Sequence, residues 1–205
     1  MRFFSLEGID GSGKTTQLEK LAVQMERQGF EVVKLREPGG AKISERIREI
    51  LLDSAYKGIM SDKTELLLYN AARAQVIEEI VKPALQAGKV VLADRFAWST
   101  LAYQGYGRGL DIQLVQQQTE LTCGEWLPDF TVVMDISVER GRMRMANRGE
   151  SPDRMESEKW EFFGRVRQGY ISIAKNYPER VAVIDADRSP DAVFSDLWAL
   201  IQSRL

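Results

Sequence analysis

Gly8-Ile9-Asp10-Gly11-Ser12-Gly13-Lys14-Thr15-Thr16 gathers three glycines, one lysine and three hydroxyls into nine residues near the start of the chain. The first eight satisfy G-x-x-x-x-G-K-[ST] in full, the spacing of a phosphate-binding P-loop. Glycines at such positions let backbone N–H groups converge on phosphate oxygens, and a helix that follows adds the positive end of its dipole. Lys14 supplies a point charge to terminal phosphates and Thr15 a hydroxyl ligand for Mg2+. A second reactive pair, Asp94-Arg95, closes the apolar run Val90-Val91-Leu92-Ala93. A carboxylate there can orient Mg2+ or its waters, and Arg95 can clamp a second phosphate. Asp135, which closes Val132-Val133-Met134, is the rival carboxylate for the metal.

A third group of residues surrounds a Gly-Ser-Pro break: Arg142, Arg144, Arg148 and Arg154. Arg144 and Arg148 stand four apart and share a helical face just before a segment expected to move. A lid bearing arginines would exclude water and neutralise transition-state charge, so residues of about 142–156 read as a small lid. Nearby acidic residues (Glu150, Asp153, Glu156, Glu158) also allow a plain solvated face. In ELLLYNAARAQ, Tyr69 and Arg73 are i, i+4 partners, as are Ser99 with Tyr103 and Thr100 with Gln104 in FAWSTLAYQGYGRG. Aromatic faces with hydrogen-bonding neighbours suit a nucleobase.

Positioning these groups requires a sheet with crossover helices. RFFSLEG and EVVKLRE read as strands, and KVVLADR, DFTVVMDI and RVAVIDA as three more, each short and β-branched, the near-continuous apolar pattern that burial on both faces produces. AKISERIREILLD, KTELLLYNAARAQVIEEIVKPALQ, DIQLVQQQTELTC, VERGRMRMAN and SEKWEFFGRVRQGYISIAKNY have helical periodicity. So does TTQLEKLAVQMERQG, and SPDAVFSDLWALIQSRL opens with Ser189 as cap and Pro190 in the first turn. The expected fold is α/β: one doubly wound domain on a five-stranded parallel sheet.

With 205 residues, 44% hydrophobic and 28% charged, the chain suits one globular domain rather than disorder or a fibre. A formal charge of −2 argues against bulk electrostatic binding to nucleic acid or an anionic membrane. The single cysteine, Cys123, forms no internal disulfide and fits a reducing cytoplasm as a small buried residue. The opening MRFFSLEG meets Glu7 too soon for a signal peptide, and no run reaches the ~20 apolar residues of a membrane span. There is no histidine, so carboxylates, cations, hydroxyls and a metal-bound water must carry any chemistry.

Taken together, EGIDGSGKTTQ, LREPGG, LLYNAARAQ, ADRF with STLAYQGYGRGL, LPDFTVVMDI, NRGESPDRME and FFGRVRQGY resemble the thymidylate kinases, of bacterial type, over nearly the whole chain. That resemblance implies a P-loop nucleoside monophosphate kinase fold, transfer of phosphate from ATP to dTMP giving dTDP and ADP, Mg2+ with the ATP, and a cytoplasmic homodimer. It implies that Gly8, Ile9, Asp10, Gly11, Ser12, Gly13, Lys14, Thr15 and Thr16 hold ATP, with Arg144 near the adenine. Asp10 would meet the dTMP 3′-hydroxyl or a magnesium-linked phosphate, and Glu37 with Pro38 would line the acceptor site. Tyr69 would stack on thymine, Arg73 reach its carbonyl, and Ser99, Thr100 and Gln104 face the acceptor. Tyr103 would sit against the deoxyribose and Arg95 would hold the dTMP phosphate. Lys14, Asp94, Arg95, Arg148 and Arg154 would be catalytic, the last two as lid cations, and Thr15, Asp10 and Asp94 would serve the metal.

The chain departs from the family pattern at Ala41, Phe96 and Tyr69, where REPGGT, DRY and a phenylalanine are commoner; Gly11 stands where eukaryotic members carry an arginine. Two other readings stay open. A kinase acting on dUMP or on a deoxynucleoside shares most of these features. A nucleotide-dependent switch or ATPase would use the P-loop alone, but it would be expected to carry a partner-recognition element or a guanine-reading N-K-x-D, and neither is found.

Overall fold

In a computed structural model, residues 2–147, 149 and 151–205 are described. β1 (Phe3–Glu7) leads through the glycine-rich turn into α1 (Lys14–Arg27), and β2 (Val32–Arg36) follows. α2 (Lys42–Leu52), a 3-10 turn at Ser54–Tyr56 and α3 (Asp62–Val76) come next. A π-helical turn at Ile77–Val81 runs on into α4 (Lys82–Gln86), and β3 (Val90–Asp94) re-enters the sheet. α5 (Ala97–Thr100) continues as a π-helical stretch at Leu101–Gly107, followed by α6 (Ile112–Cys123) and β4 (Phe130–Asp135). α7 (Val138–Ala146), α8 (Trp160–Asn176), β5 (Val181–Asp185) and α9 (Pro190–Gln202) complete the order.

The strands pair in parallel in the order β2-β3-β1-β4-β5. β1, β3 and nearly all of β4 are buried, whereas the edge strands β2 and β5 are partly exposed, as edges must be. Alternation along each central strand feeds two cores: Phe4, Leu6 and Leu92 pack with α1, α8 and α9, while Phe3, Val91 and Ala93 pack with Val76, Ile77 and Phe96. Register levels the carboxyl ends, since Asp94 stands opposite both Leu6 of β1 and Arg36 of β2. The chain turns to opposite sides of β1, so the crevice at that edge is the topological switch point where such sheets bind ligands.

Two helical segments differ from the sequence reading. The stretch from Lys63 to Gln86 is not one regular α-helix, because Pro83 lacks the N–H for the next intrahelical bond and the chain widens to π geometry just before it. Residues 97–107, read only as paired positions, are helical despite two glycines. A Cβ on Gly107 would lie 2.7 Å from Phe162 of α8, so glycine there permits close packing and not a break. Ser189 caps α9 as expected, accepting from Ala192 N at 3.4 Å. Ala41 precedes α2 with no side-chain cap; the Glu45 carboxylate instead accepts from Gly40 N at 2.7 Å.

Candidate active site

The P-loop lies between β1 and the uncapped start of α1, where Gly13 at φ +91° provides no side chain to occupy the first N–H groups. These donors are free to meet an anion. Gly11 has φ +78°, and a Cβ there would stand 2.4 Å from the Gly141 carbonyl oxygen of α7. The glycine is therefore required both by conformation and by contact. Lys14 Nζ donates to the carbonyls of Gly8 at 3.1 Å and Ile9 at 3.0 Å, partners it can exchange for phosphate oxygens. Burial and then the Arg95 charge pull its pKa down to about 8.

Across the crevice the Thr15 hydroxyl donates to Asp94 Oδ2 at 2.6 Å. A hydroxyl and a carboxylate side by side form a hard oxygen pair, which suits Mg2+, an ion that keeps most of its waters and takes one or two protein ligands. Asp10 faces the other way: its Oδ1 accepts from Arg95 at 2.6 Å and its Oδ2 from the Tyr103 hydroxyl at 3.5 Å. Asp135, the rival carboxylate, is held by Arg167 through two bonds of 2.7 and 2.8 Å and does not line the cleft. Among the candidate carboxylates, Asp94 is the one joined to Thr15.

Arg95 adopts φ +70°, a left-handed conformation that costs a non-glycine residue energy and often marks function. Its guanidinium donates to the Gly8 carbonyl at 2.6 Å as well as to Asp10, and lies over the Tyr103 ring. Beneath it Glu7, at the end of β1, accepts from Phe96 N at 2.8 Å, Ser99 Oγ at 2.5 Å and Tyr170 Oη at 2.9 Å. Burial raises the pKa of that carboxyl.

Arg73 is 2% exposed and donates to Glu37 at 2.8 Å, Thr100 at 2.9 Å and the Phe96 carbonyl at 3.2 Å. Burial lifts the Glu37 carboxyl to about 7 against the opposing pull of Arg73. Its Oε1 is buried without a partner. One concave cleft is lined by Asp10, Gly11, Gly13, Lys14, Thr15, Thr16, Asp94 and Arg95 on the P-loop side. The same cleft is lined by Glu37, Pro38, Tyr69, Arg73, Ser99, Thr100, Tyr103 and Gln104 on the other.

The thymidylate kinase family model matches residues 6–197. The chain belongs to the thymidylate kinase family. It is 46% identical to a thymidylate kinase of Syntrophotalea carbinolica over 99% of this chain and 96% of that one. It is 48% identical to one from Pelotomaculum thermopropionicum over 96% of this chain and 90% of that one. The crystal structure of thymidylate kinase from Ehrlichia chaffeensis aligns with a TM-score of 0.78 at 35% identity, covering 98% of each chain.

Within this thymidylate kinase framework several expected residues stand elsewhere. Arg154 is not a cleft cation in this structure: it is 3% exposed, donates to the Leu51 carbonyl at 2.6 Å and pairs with Glu65 at 2.6 Å. The turn around it is pinned as well, with Asp153 Oδ1 accepting from Met155 N and Glu156 N at 2.8 Å each. Within the expected lid of about residues 142–156, Arg154 is thus paired with a buried carboxylate and the turn it lies in is hydrogen-bonded. Asp10, expected at the metal, accepts from Arg95 and from the Tyr103 hydroxyl. Arg144 bridges the carbonyls of Gly11 and Ala186 at 3.2 Å each. Ser12 and Ile9 are buried within the loop. Arg148 lies outside the described residues. Sequence reading missed Arg36 and Arg48, both cleft-lining, although Arg36 stood in the quoted LREPGG. Arg48 carries only its charge as a signal, and donates to the Pro38 carbonyl at 2.9 Å.

Proposed function

We propose that the chain transfers the terminal phosphoryl group of ATP to dTMP, giving dTDP and ADP. The observation that carries this reading is the single cleft in which the P-loop and the Tyr69–Arg73–Thr100–Gln104 wall face one another across Thr15, Asp94 and Arg95. A bare ATPase needs no second wall. The P-loop N–H groups and Lys14 hold the donor phosphates, with Arg144 beside the adenine. Thr15 and Asp94 would hold Mg2+, which would supply neutralisation of phosphate charge. Arg95 exchanges Asp10 for the acceptor phosphate, while Tyr69 covers the base and Tyr103 the sugar. Asp10, once Arg95 has turned to the phosphate, would meet the sugar hydroxyl.

No strong general base is required. A nucleoside monophosphate has its second pKa near ~6, so the attacking oxygen is largely ionised at neutral pH. Positioning and charge neutralisation then carry the step, which accords with a chain lacking histidine. Arg148 as a lid cation rests on the family resemblance alone.

The same reading makes the enzyme cytoplasmic and homodimeric. Leu67 of α3 and Leu121 of α6 are exposed by 57% and 81% on helices that pack together, an apolar surface that a second copy would cover. Light scattering of the purified protein checks the mass. No helix among the described residues is long and apolar enough to cross a membrane.

The test is ADP release with ATP and Mg2+ against dTMP, dUMP, UMP, dCMP, AMP and thymidine in parallel. The reading expects strong preference for dTMP. Turnover independent of every acceptor would leave only the P-loop and favour the switch.

A further inference from the structure

Glu65 lies on α3 one turn before Tyr69, is 1% exposed, and does not line the cleft. Its carboxylate is crowded by donors. Oε1 accepts from Gln104 Nε2 at 2.8 Å and from Arg108 Nε at 3.0 Å. Oε2 accepts from Arg108 at 2.9 Å and pairs with Arg154 at 2.6 Å. Glu158 pairs with the remaining face of Arg108 at 2.6 Å, and Asp62 stands 3.6 Å from the same guanidinium. Burial pushes the Glu65 carboxyl up, but Arg108, Gln104 and Arg154 outweigh it and hold it below its ordinary value. The group is therefore an anion with acceptor sites only.

That chemistry fixes the Gln104 amide. An ionised carboxylate cannot donate, so the Gln104 atom facing it must be the NH2 and the atom turned away must be the carbonyl oxygen. Gln104 lines the cleft, and among the described residues no donor reaches its Oε1. The neighbouring Arg73 donors are already engaged by Glu37, Thr100, Asn70 and the Phe96 carbonyl. The cleft thus presents a bare acceptor to the edge of any base beside Tyr69.

We propose that Glu65 is a positioning residue for base selection: by locking Gln104 as an acceptor it selects a pyrimidine with an N3–H, such as thymine, over cytosine, whose N3 is itself an acceptor. This rests on the reading of the cleft as an acceptor site for dTMP. Two acceptors facing each other leave both unsatisfied, which a built polar site rejects strongly. The same carboxylate also anchors Arg154, so base polarity and the seat of residues 153–157 share one group.

Glu65→Gln tests it. Two guanidinium donors stand at Oε2, from Arg108 and Arg154, against the single Arg108 Nε at Oε1, so the oxygen is favoured at Oε2 and the new NH2 takes the Oε1 position, facing Gln104. Gln104 then turns its carbonyl inward and its NH2 to the cleft. The expected result is at least a tenfold fall in the ratio of kcat/KM for dTMP over dCMP, with the KM for dTMP rising and that for dCMP falling. In a Gln104→Leu background the same change should leave the ratio unmoved. An equal loss on both acceptors, or an unchanged ratio in a folded E65Q, would overturn the proposal. Wild-type protein assayed with N3-methyl-dTMP keeps it testable should E65Q not fold: rejection is expected, and turnover equal to dTMP would overturn it. If wild type does not phosphorylate dTMP at all, the function reading fails instead.

Discussion

Gly141→Ala sets two opposing physical effects against each other at one atom. Gly141 sits inside α7, where alanine would by propensity stabilise the helix by about 0.5–1 kcal/mol. A Cβ there, however, would lie 2.6 Å from the backbone oxygen of Asp10 in the P-loop. Ile9 and Ile136 side chains at 3.3 and 3.4 Å can rotate aside, but a carbonyl in a tight loop cannot. Restoring an ordinary contact of 3.4 Å requires α7 and the loop to part by about 0.8 Å. Overpacking of this kind costs about 1–3 kcal/mol, which exceeds the propensity gain. The net cost reaches about 2.5 kcal/mol, so at about 2–4 °C per kcal/mol for a chain of this size Tm falls by up to about 10 °C. A misplacement approaching 1 Å costs on the order of 100-fold in rate, so kcat/KM for ATP should drop by about 30–100-fold. Gly164→Ala is the control, since its Cβ meets nothing within 4 Å in α8 and should raise Tm without touching kinetics. The assays are steady-state kinetics with varied ATP and thermal unfolding. A G141A protein with raised Tm and unchanged ATP kinetics would refute the reasoning.

Three further outcomes follow from burial. Lys14, with its pKa lowered to about 8, is protonated below that pH and neutral above it, and bound phosphates favour the protonated form. The Kd of a non-hydrolysable ATP analogue should therefore stay flat to about pH 8 and then rise by up to about tenfold per unit; a flat profile to pH 10 would contradict this. Stability of the free protein runs the opposite way, because the cost of burying the ammonium is present below about pH 8 and is relieved between there and 10.5. Cys123 is buried, and its thiol is pushed up to about 11 by burial. It should resist a disulfide reagent at pH 8 in native protein and react once in denaturant; rapid native labelling would refute its placement.

The sheet was legible because its signals are local. Val90-Val91-Leu92-Ala93 and its counterparts are short apolar runs bounded by charges, and the P-loop motif names its own strand and helix. Partnerships across the fold were not. Nothing in the spacing tells that Arg154 is spent on Glu65, or that Asp10 meets Arg95, because those pairs depend on how α3, the π-helical stretch and the 153–157 turn pack. Pro83 stood inside the stretch read as one helix and was the available signal of a disturbance there, with the π turn as its consequence. Gly107 of AYQGYGRG is a contact point for Phe162 and Val166 of α8, a role that only the neighbour can reveal.

The most direct measurement follows the label from [γ-32P]ATP in the presence of Mg2+ and dTMP. The account predicts that label accumulates in dTDP, only when dTMP is present, with little released as inorganic phosphate. Label appearing in inorganic phosphate at the same rate with or without dTMP would contradict it.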